Sequence, residues 1–224
     1  MNATRIAWSL SALLVSGCGA LRPDAAPPPT FYSLDGARAS PPAAARPAAA
    51  AAAPTLIVNP PHAAAGFDSS RIIYVRQLHK LEYFAHSEWV DPPARMLAPL
   101  LVAALERSGA FRAVVLTPSA AAGDLRLDTE IVRLQHEFGT PPSRVRFTLR
   151  ATLVDALTRR VLGSREFEAG VPANSEDPYG GVVAASLAVQ TVLESLAAFC
   201  VEAAGSRARP TGPAGEIITQ RRAR

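Results

Sequence analysis

The side chains that most often catalyse reactions or bind metal ions are few in this chain and stand far apart. Its 224 residues include four histidines, His62, His79, His86 and His136. A zinc-binding H-E-x-x-H motif needs two histidines on one helical face, and no histidine pair here has that spacing. His86 and Glu88 alternate on a predicted strand, which is too little for a metal site. The sequence has no G-x-S-x-G turn, no P-loop and no G-x-G-x-x-G motif. These absences predict a protein that is not an enzyme and has no metal site or bound cofactor.

The two cysteines, Cys18 and Cys200, could form one disulfide in an oxidising compartment, but not if Cys18 carries a lipid. Cys18 follows a segment with one positive charge at Arg5, ten mostly apolar residues over 6–15, and two small residues. That order is typical of a secretory signal peptide, and ten apolar residues are too few for a helix that spans the hydrocarbon core. Cys200 follows Leu196 by four residues on the apolar stripe of a predicted helix. We therefore predict that Cys200 is a buried free thiol.

The segment Val15-Ser16-Gly17-Cys18 resembles the lipobox of bacterial lipoproteins. In that class of signals the cysteine thiol receives a diacylglyceryl group, the chain is cut before the cysteine, and the new amino group is acylated. The resemblance implies a signal peptide over 1–17 and a lipid anchor on Cys18, with a plain exported thiol or an uncleaved anchor as the alternatives. Gly19, where an aspartate would resemble an inner-membrane retention signal, implies the outer membrane.

Four aromatic residues, Tyr74, Tyr83, Phe84 and Trp89, lie within sixteen residues, on or just after a predicted β-hairpin. Strand alternation predicts that Tyr74 and Tyr83 share one face and that Phe84 points to the other. Aromatic side chains of this kind either pack in a core or form a surface that binds a protein partner or lipid. Both interpretations stay open for this cluster.

Hydrophobic periodicity predicts the elements that position these residues. A capping acid and two prolines at Asp91-Pro92-Pro93 begin a helix with leucines on one face, in which Pro99 should cause a kink or a shifted start. A second helix begins at Asp177-Pro178-Tyr179-Gly180-Gly181 and runs to about residue 204, with the two glycines read as a tight turn in preference to an anion cradle. Strands are predicted over 31–34, 55–59, 71–77, 81–87, 111–116, 125–131, 144–153 and 160–169. The fold class is therefore α+β, an antiparallel-rich sheet with two main helices packed on one face.

Two long strands carry charged residues on their polar faces. Acids alternate with apolar residues over 125–131, and Arg144, Arg146 and Arg150 do so in the next strand. We interpret this pattern as a solvated sheet face with ion pairs across the ladder, in preference to a nucleic-acid patch. The overall charge agrees, because the formal +4 falls to −1 once Arg5 and the tail from residue 206, with five arginines and Glu216, are set aside. A near-neutral body predicts no nucleic-acid partner.

Composition divides the chain into four parts. Residues 1–17 are the signal peptide, and 18–54 are a lipidated N-terminus and an Ala/Pro-rich linker, interrupted by the short strand over 31–34. The folded domain covers 55–205, a usual size for one domain. The basic tail over 206–224 is predicted to be disordered. If the short strand joins the domain, the tether from the anchor is short and the domain stays close to its membrane.

These features together resemble the family of ABC-type transport auxiliary lipoproteins. The resemblance rests on Cys18, on Phe31-Tyr32-Ser33-Leu34, on the strand pair and proline-started helix over 71–105, and on the glycine-started last helix. It implies a fold similar to the amino-terminal domain of TolB. No lipid-contact residue is carried over from the family to this chain.

The same resemblance implies the function and the partners. The chain would be an accessory component of an MCE-type ABC system, similar to the lipoprotein of the paraquat-inducible system, that moves phospholipids or other hydrophobic molecules between the inner and outer membranes. Its partners would be an MCE-domain protein and the outer membrane, with its domain in the periplasm, and a homo-oligomer stays open. The alternative is an envelope-assembly lipoprotein that binds peptidoglycan or an outer-membrane complex.

Overall fold

The computed structural model describes residues 27–34 and 52–207. The predicted signal peptide, the lipidation site Cys18, most of the linker and the basic tail after Arg207 lie outside these residues. Eleven elements follow one another along the described chain: β1 (Thr30–Tyr32), β2 (Thr55–Val58), β3 (His62–Ala63), β4 (Arg71–Val75), β5 (Glu82–Trp89), α1 (Pro93–Arg107), β6 (Ala113–Leu116), β7 (Leu125–Glu137), β8 (Arg144–Asp155), β9 (Val161–Pro172) and α2 (Pro178–Arg207).

The nine strands form one open sheet organised around β7. On one side β7 pairs with β8, which pairs with β9, and both ladders are antiparallel. On the other side β7 pairs in succession with β2, β3 and β4, all in parallel. Strand β6 extends the sheet from β2, while β5 and then β1 extend it from β4. The α+β class is confirmed. The sheet is mixed, because the β4–β5, β7–β8 and β8–β9 ladders are antiparallel and the other ladders are parallel.

The core lies between the sheet and the two helices, which contact each other as well as the strands. Helix α1 buries Leu97, Leu101 and Leu105 at the spacing expected for one helical face. Helix α2 buries the predicted stripe from Val182 to Cys200, and Cys200 is fully buried. Burial of apolar area at about 25 cal/mol per Å² makes these faces the main source of stability.

Two details of α1 differ from the prediction. Asp91 does not cap the helix, because the N-cap position belongs to Pro92 and carries no side-chain cap bond. Asp91 instead pairs with Arg95 at 3.3 Å. Pro99 lies inside the helix, which keeps its start at Pro93, and the proline faces solvent, so the lost backbone bond is on the exposed side.

Among the described residues, α2 is the one helix long and apolar enough to cross a membrane by length and composition. About half of its apolar window is buried, and the helix packs on β8 and β9. A helix that is apolar on most sides is also what the core of a folded domain requires. In this structure α2 is the core helix of the domain.

Candidate interaction site

The β4–β5 hairpin distributes the four predicted aromatic residues over different environments. Arg71 is opposite Glu88, whereas Ile73 is opposite Tyr83, so β5 has three more residues than β4 between these two pairs. An odd number of extra residues reverses which face each side chain takes. The four residues therefore do not form one surface, and the expectation that Tyr74 and Tyr83 share a face is wrong.

Trp89 belongs to the core. Only 4% of the residue is exposed, and it packs in the cluster that also contains Ile72 and Leu134. Of the two interpretations left open for the aromatic residues, core packing is the right one for Trp89. Trp89 therefore cannot be part of a binding surface while the domain is folded.

Tyr83 is exposed, with 53% of its surface accessible. The guanidinium carbon of Arg71 lies 4.2 Å from the centre of its ring, which is a cation–π contact. Beside the ring is an open groove of about 380 Å³, lined by Gly66, Asp68, Ser69, Arg71, Ile73, Leu81 and Tyr83. This groove combines apolar walls with one charge of each sign. An exposed surface of this mixed kind is a candidate contact site for a partner.

Tyr74 and Phe84 lie on the other face and contact each other, with ring centres 4.6 Å apart. Phe138 joins them, edge-on to Tyr74 at 5.8 Å. His136 completes the aromatic cluster, with its ring centre 4.1 Å from that of Phe138. These contacts make Tyr74 and Phe84 part of a packed, half-buried cluster.

No pattern in the sequence singles out His136 from the other histidines. Its ring is 2% exposed, and its Nε2 atom lies 2.8 Å from Ser143 Oγ, within hydrogen-bond distance. Its Nδ1 atom is buried and has no hydrogen-bond partner among the described residues. Burial lowers the pKa of His136, and the charges of Glu176 and Asp177 oppose this effect. Because the ring is buried, we assign His136 a packing role, and its protonation should make the stability of the domain depend on pH.

The glycine pair at the start of α2 has a packing reason. Gly181 lies against His136, such that a Cβ atom on it would be 2.6 Å from Nδ1. A Cβ atom on Gly180 would lie even closer to the backbone oxygen of Ser175. The Asp177 side chain accepts the backbone N–H of Gly180 at 2.7 Å, so the helix start is already capped by a carboxylate. Both glycines lie inside α2, so the predicted tight turn is wrong, and their lack of a side chain is what the close packing requires.

The charged faces of β7, β8 and β9 form ion pairs across the ladders, as the alternation predicts. Arg146 bridges Glu137 at 2.9 Å and Glu168 at 2.6 Å. Arg150 bridges Glu130 at 2.9 Å and Glu166 at 3.0 Å. The pKa of Glu137 is lowered by the hydrogen bonds and charge of Arg146, against the opposing effect of burial. Arginines neutralised in this way make no basic patch for nucleic acid.

Within residues 27–34 and 52–207 no group of three or more histidine, cysteine or acidic side chains is placed to hold a metal ion. Cys200 is a free, buried thiol, as predicted, and burial raises its pKa to about 12. A thiol in that state is a poor nucleophile and a poor metal ligand. The candidate site of the described domain is therefore the surface around Tyr83, Arg71 and Leu81.

The described residues form a mixed α+β domain with an exposed hairpin surface. The sequence profile of the ABC-type transport auxiliary lipoprotein component matches residues 32–197, and the chain belongs to this family. The family is an auxiliary lipoprotein of transport, which is not an enzyme class, and its name implies association with an ABC transport system and an anchor in the cell envelope.

Solved structures share the fold. A Xanthomonas campestris protein is 24% identical, with a TM-score of 0.65 over 80% of this chain and 95% of that one. An uncharacterized protein is 13% identical, with a TM-score of 0.60 over 78% and 99% of the two chains. A hypothetical protein from Chlamydia trachomatis is 8% identical, with a TM-score of 0.51 over 69% and 99%. A search of curated proteins gave no match.

Proposed function

We propose that this chain is a non-enzymatic lipoprotein of an MCE-type ABC transporter that moves phospholipids or other hydrophobic molecules between the inner and outer membranes. The observation that carries the proposal is the family match over residues 32–197. In this arrangement an inner-membrane ATPase and permease supply the energy, and the lipoprotein receives the MCE protein at the outer membrane, with its domain in the periplasm.

Cys18 is the proposed anchor, carrying a diacylglyceryl group on its thiol and an acyl group on its amino nitrogen. Each buried methylene contributes about 0.8 kcal/mol, so a single acyl chain binds marginally and two or three bind durably. The other cysteine does not compete for this role, since Cys200 is fully buried in the core. The anchor would leave the domain free to contact its partner while it stays at the membrane.

The anchor is tested by Cys18→Ala in the full chain, expressed in cells that are fed a labelled fatty acid. We expect the variant to lose the label and to leave the membrane fraction or be misplaced. Cys200→Ala is the matched control, because it removes the other thiol without touching the anchor, and it should keep the label. A Cys18→Ala chain that stays labelled and membrane-bound refutes the anchor.

The partner is tested with a photocrosslinking residue at Tyr83, which is exposed, and at Leu157, a still more exposed position in the turn between β8 and β9. We expect the Tyr83 position to capture an MCE-domain protein in intact cells and Leu157 to capture less of it. Capture of peptidoglycan or of an outer-membrane assembly complex in its place would support the envelope-assembly alternative and reject the transport role.

A further inference from the structure

The connection between β4 and β5 carries large apolar side chains that the rest of the described domain leaves uncovered. Leu78 is 83% exposed, Leu81 is 50% exposed, and Tyr83 follows at the start of β5. We call residues 76–82, which end before Tyr83, the hairpin tip. Soluble surfaces tolerate scattered apolar residues, but two exposed leucines within four positions, followed by an exposed tyrosine, indicate a surface that contacts something apolar.

The hairpin tip also carries basic residues. Arg76 and Lys80 are exposed, and the one acid of the tip, Glu82, pairs with Lys80 at 3.2 Å. Arg76 lies 4.9 Å from the ring centre of Tyr74, so its charge stays at the surface of the hairpin. Apolar side chains flanked by an excess of positive charge are typical of segments that lie at the surface of an anionic bilayer.

The position of β1 connects the hairpin tip to the anchor. Strand β1 runs parallel to β5, with Thr30 opposite Ser87 and Tyr32 opposite Trp89. Because the strands are parallel, the chain before Thr30 leads toward the beginning of β5, where the hairpin tip lies. Eight residues separate Cys18 from Pro27, the first described residue, and they span at most about 30 Å. An anchor at Cys18 therefore holds this end of the domain near the bilayer.

The opposite end of the domain has a different chemistry. Strand β7 runs from Leu125, opposite Asp155, to Glu137, opposite Val75 beside the hairpin tip. Its thirteen residues separate the two ends by about 40 Å. Arg207, the last described residue of α2, pairs with Asp155 at 2.6 Å, so the basic tail begins at the end that is far from the hairpin tip.

We propose that the hairpin tip contacts the membrane in which Cys18 is anchored, with Leu78 and Leu81 at the boundary between headgroups and acyl chains and Arg76 beside anionic headgroups. The inference rests on the anchoring proposed above. The tip alone is too small to hold the protein on a bilayer. The anchor raises its effective concentration at the surface, and weak apolar and electrostatic contacts then suffice to orient the domain.

The test places a tryptophan at the hairpin tip and measures its depth. After removal of residues 1–17 the only tryptophan is Trp89, which is buried. Leu78→Trp is made in the lipidated chain, which is reconstituted into vesicles of dibrominated phosphatidylcholine with phosphatidylglycerol. Leu157→Trp is the matched control, because Leu157 is also 83% exposed but lies in the β8–β9 turn at the opposite end. We expect strong quenching and a blue shift for Leu78→Trp, and an unchanged spectrum for Leu157→Trp.

The electrostatic part is measured with Arg76→Gln in the Leu78→Trp background. A positive charge near an anionic surface contributes about 1 kcal/mol, so its removal should reduce the ratio of contacting to free tip about fivefold. The same variant should have little effect in vesicles without phosphatidylglycerol. Equal sensitivity in both kinds of vesicle would contradict the role given to Arg76.

Three results overturn the inference. The first is a protein that floats with the vesicles while Leu78→Trp is no more quenched than Leu157→Trp, which leaves the anchor intact and rejects the tip contact. The second is a change at Leu78→Trp that occurs only when a purified envelope protein is added, which makes the tip a protein-binding site. The third is a wild-type chain that does not float with the vesicles, which rejects the anchor together with this inference.

Discussion

The contact between Gly181 and His136 gives a quantitative test of the packing described above. A Cβ atom on Gly181 would lie 2.6 Å from His136 Nδ1 and 3.1 Å from Cε1, whereas ordinary van der Waals contacts are at about 3.5–4 Å. The ring cannot move away easily, because Ser143 holds Nε2 at 2.8 Å and Phe138 packs against the ring. Gly181→Ala must therefore shift either the start of α2 or the aromatic cluster.

The magnitude follows from two opposed effects. Overpacking a well-packed site costs typically about 1–3 kcal/mol, and a constrained ring places this site near the upper value. Alanine is favoured over glycine within a helix by about 1 kcal/mol. We expect the free energy of unfolding to fall by about 2 kcal/mol, which for a domain of this size lowers the Tm by roughly 4–8 °C.

Thermal and urea unfolding followed by circular dichroism measure this change. Gly205→Ala is the matched control, because it lies in the same helix with no neighbour within 4 Å of its added methyl group. It should raise the Tm slightly or leave it unchanged. Adding His136→Ala to Gly181→Ala should recover stability, with a coupling energy of about 1–2 kcal/mol. A Gly181→Ala domain as stable as the wild type would refute the close contact and the packing assigned to His136.

Two further predictions concern His136 and the hairpin. Because burial lowers the pKa of His136 below its ordinary value of 6.5, the unfolded chain takes up the proton first, so stability should fall as the pH drops below about 6.5, with a slope of at most about 1.4 kcal/mol per pH unit. His136→Gln should flatten urea-unfolding stability over that window, and an unchanged slope would contradict the assignment. Trp89→Ala should lower the free energy of unfolding by about 3–5 kcal/mol, because Trp89 is interior. Tyr83→Ala should lower it by less than about 1 kcal/mol, because Tyr83 is exposed. Similar losses for both variants would contradict the interior position of Trp89.

The sequence predicted most of the elements, because their apolar residues repeat at one regular spacing along a whole helix or strand. Leu97, Leu101 and Leu105 repeat at helical spacing and face the core, and the alternation over 144–153 continues through β8 with its arginines outward. The acids of β7 and the arginines of β8 were readable as ion pairs for the same reason. Patterns of this kind depend on the local chain and need no knowledge of distant neighbours.

Irregularities in the strands were not readable, since each one shifts the period without changing the residue types. Strand β7 has a register shift between Ile131 and Arg133, after which Leu134 and His136 become the interior residues. The prediction ended that strand at residue 131, where the alternation fails. The irregularity in the β4–β5 pairing was likewise not readable. As a result, the sequence did not show that Trp89 is interior or that Tyr83 and Tyr74 lie on opposite faces. A buried histidine beside a glycine forty-five positions away leaves no signal in a single sequence.

The three-residue strand β1 contributes more through its position than through its burial. Val90 donates its backbone N–H to Tyr32 at 2.7 Å, and Leu34 is buried, so this short segment is attached to the domain at the β5 edge. Without that attachment, thirty-five residues would separate Cys18 from Pro54, a coil with a typical end-to-end distance of about 30–35 Å. With it, eight residues separate Cys18 from Pro27, and the corresponding distance is about 16 Å. In the proposed arrangement β1 thus determines both how far the domain stands from its anchor and which end of it faces the membrane.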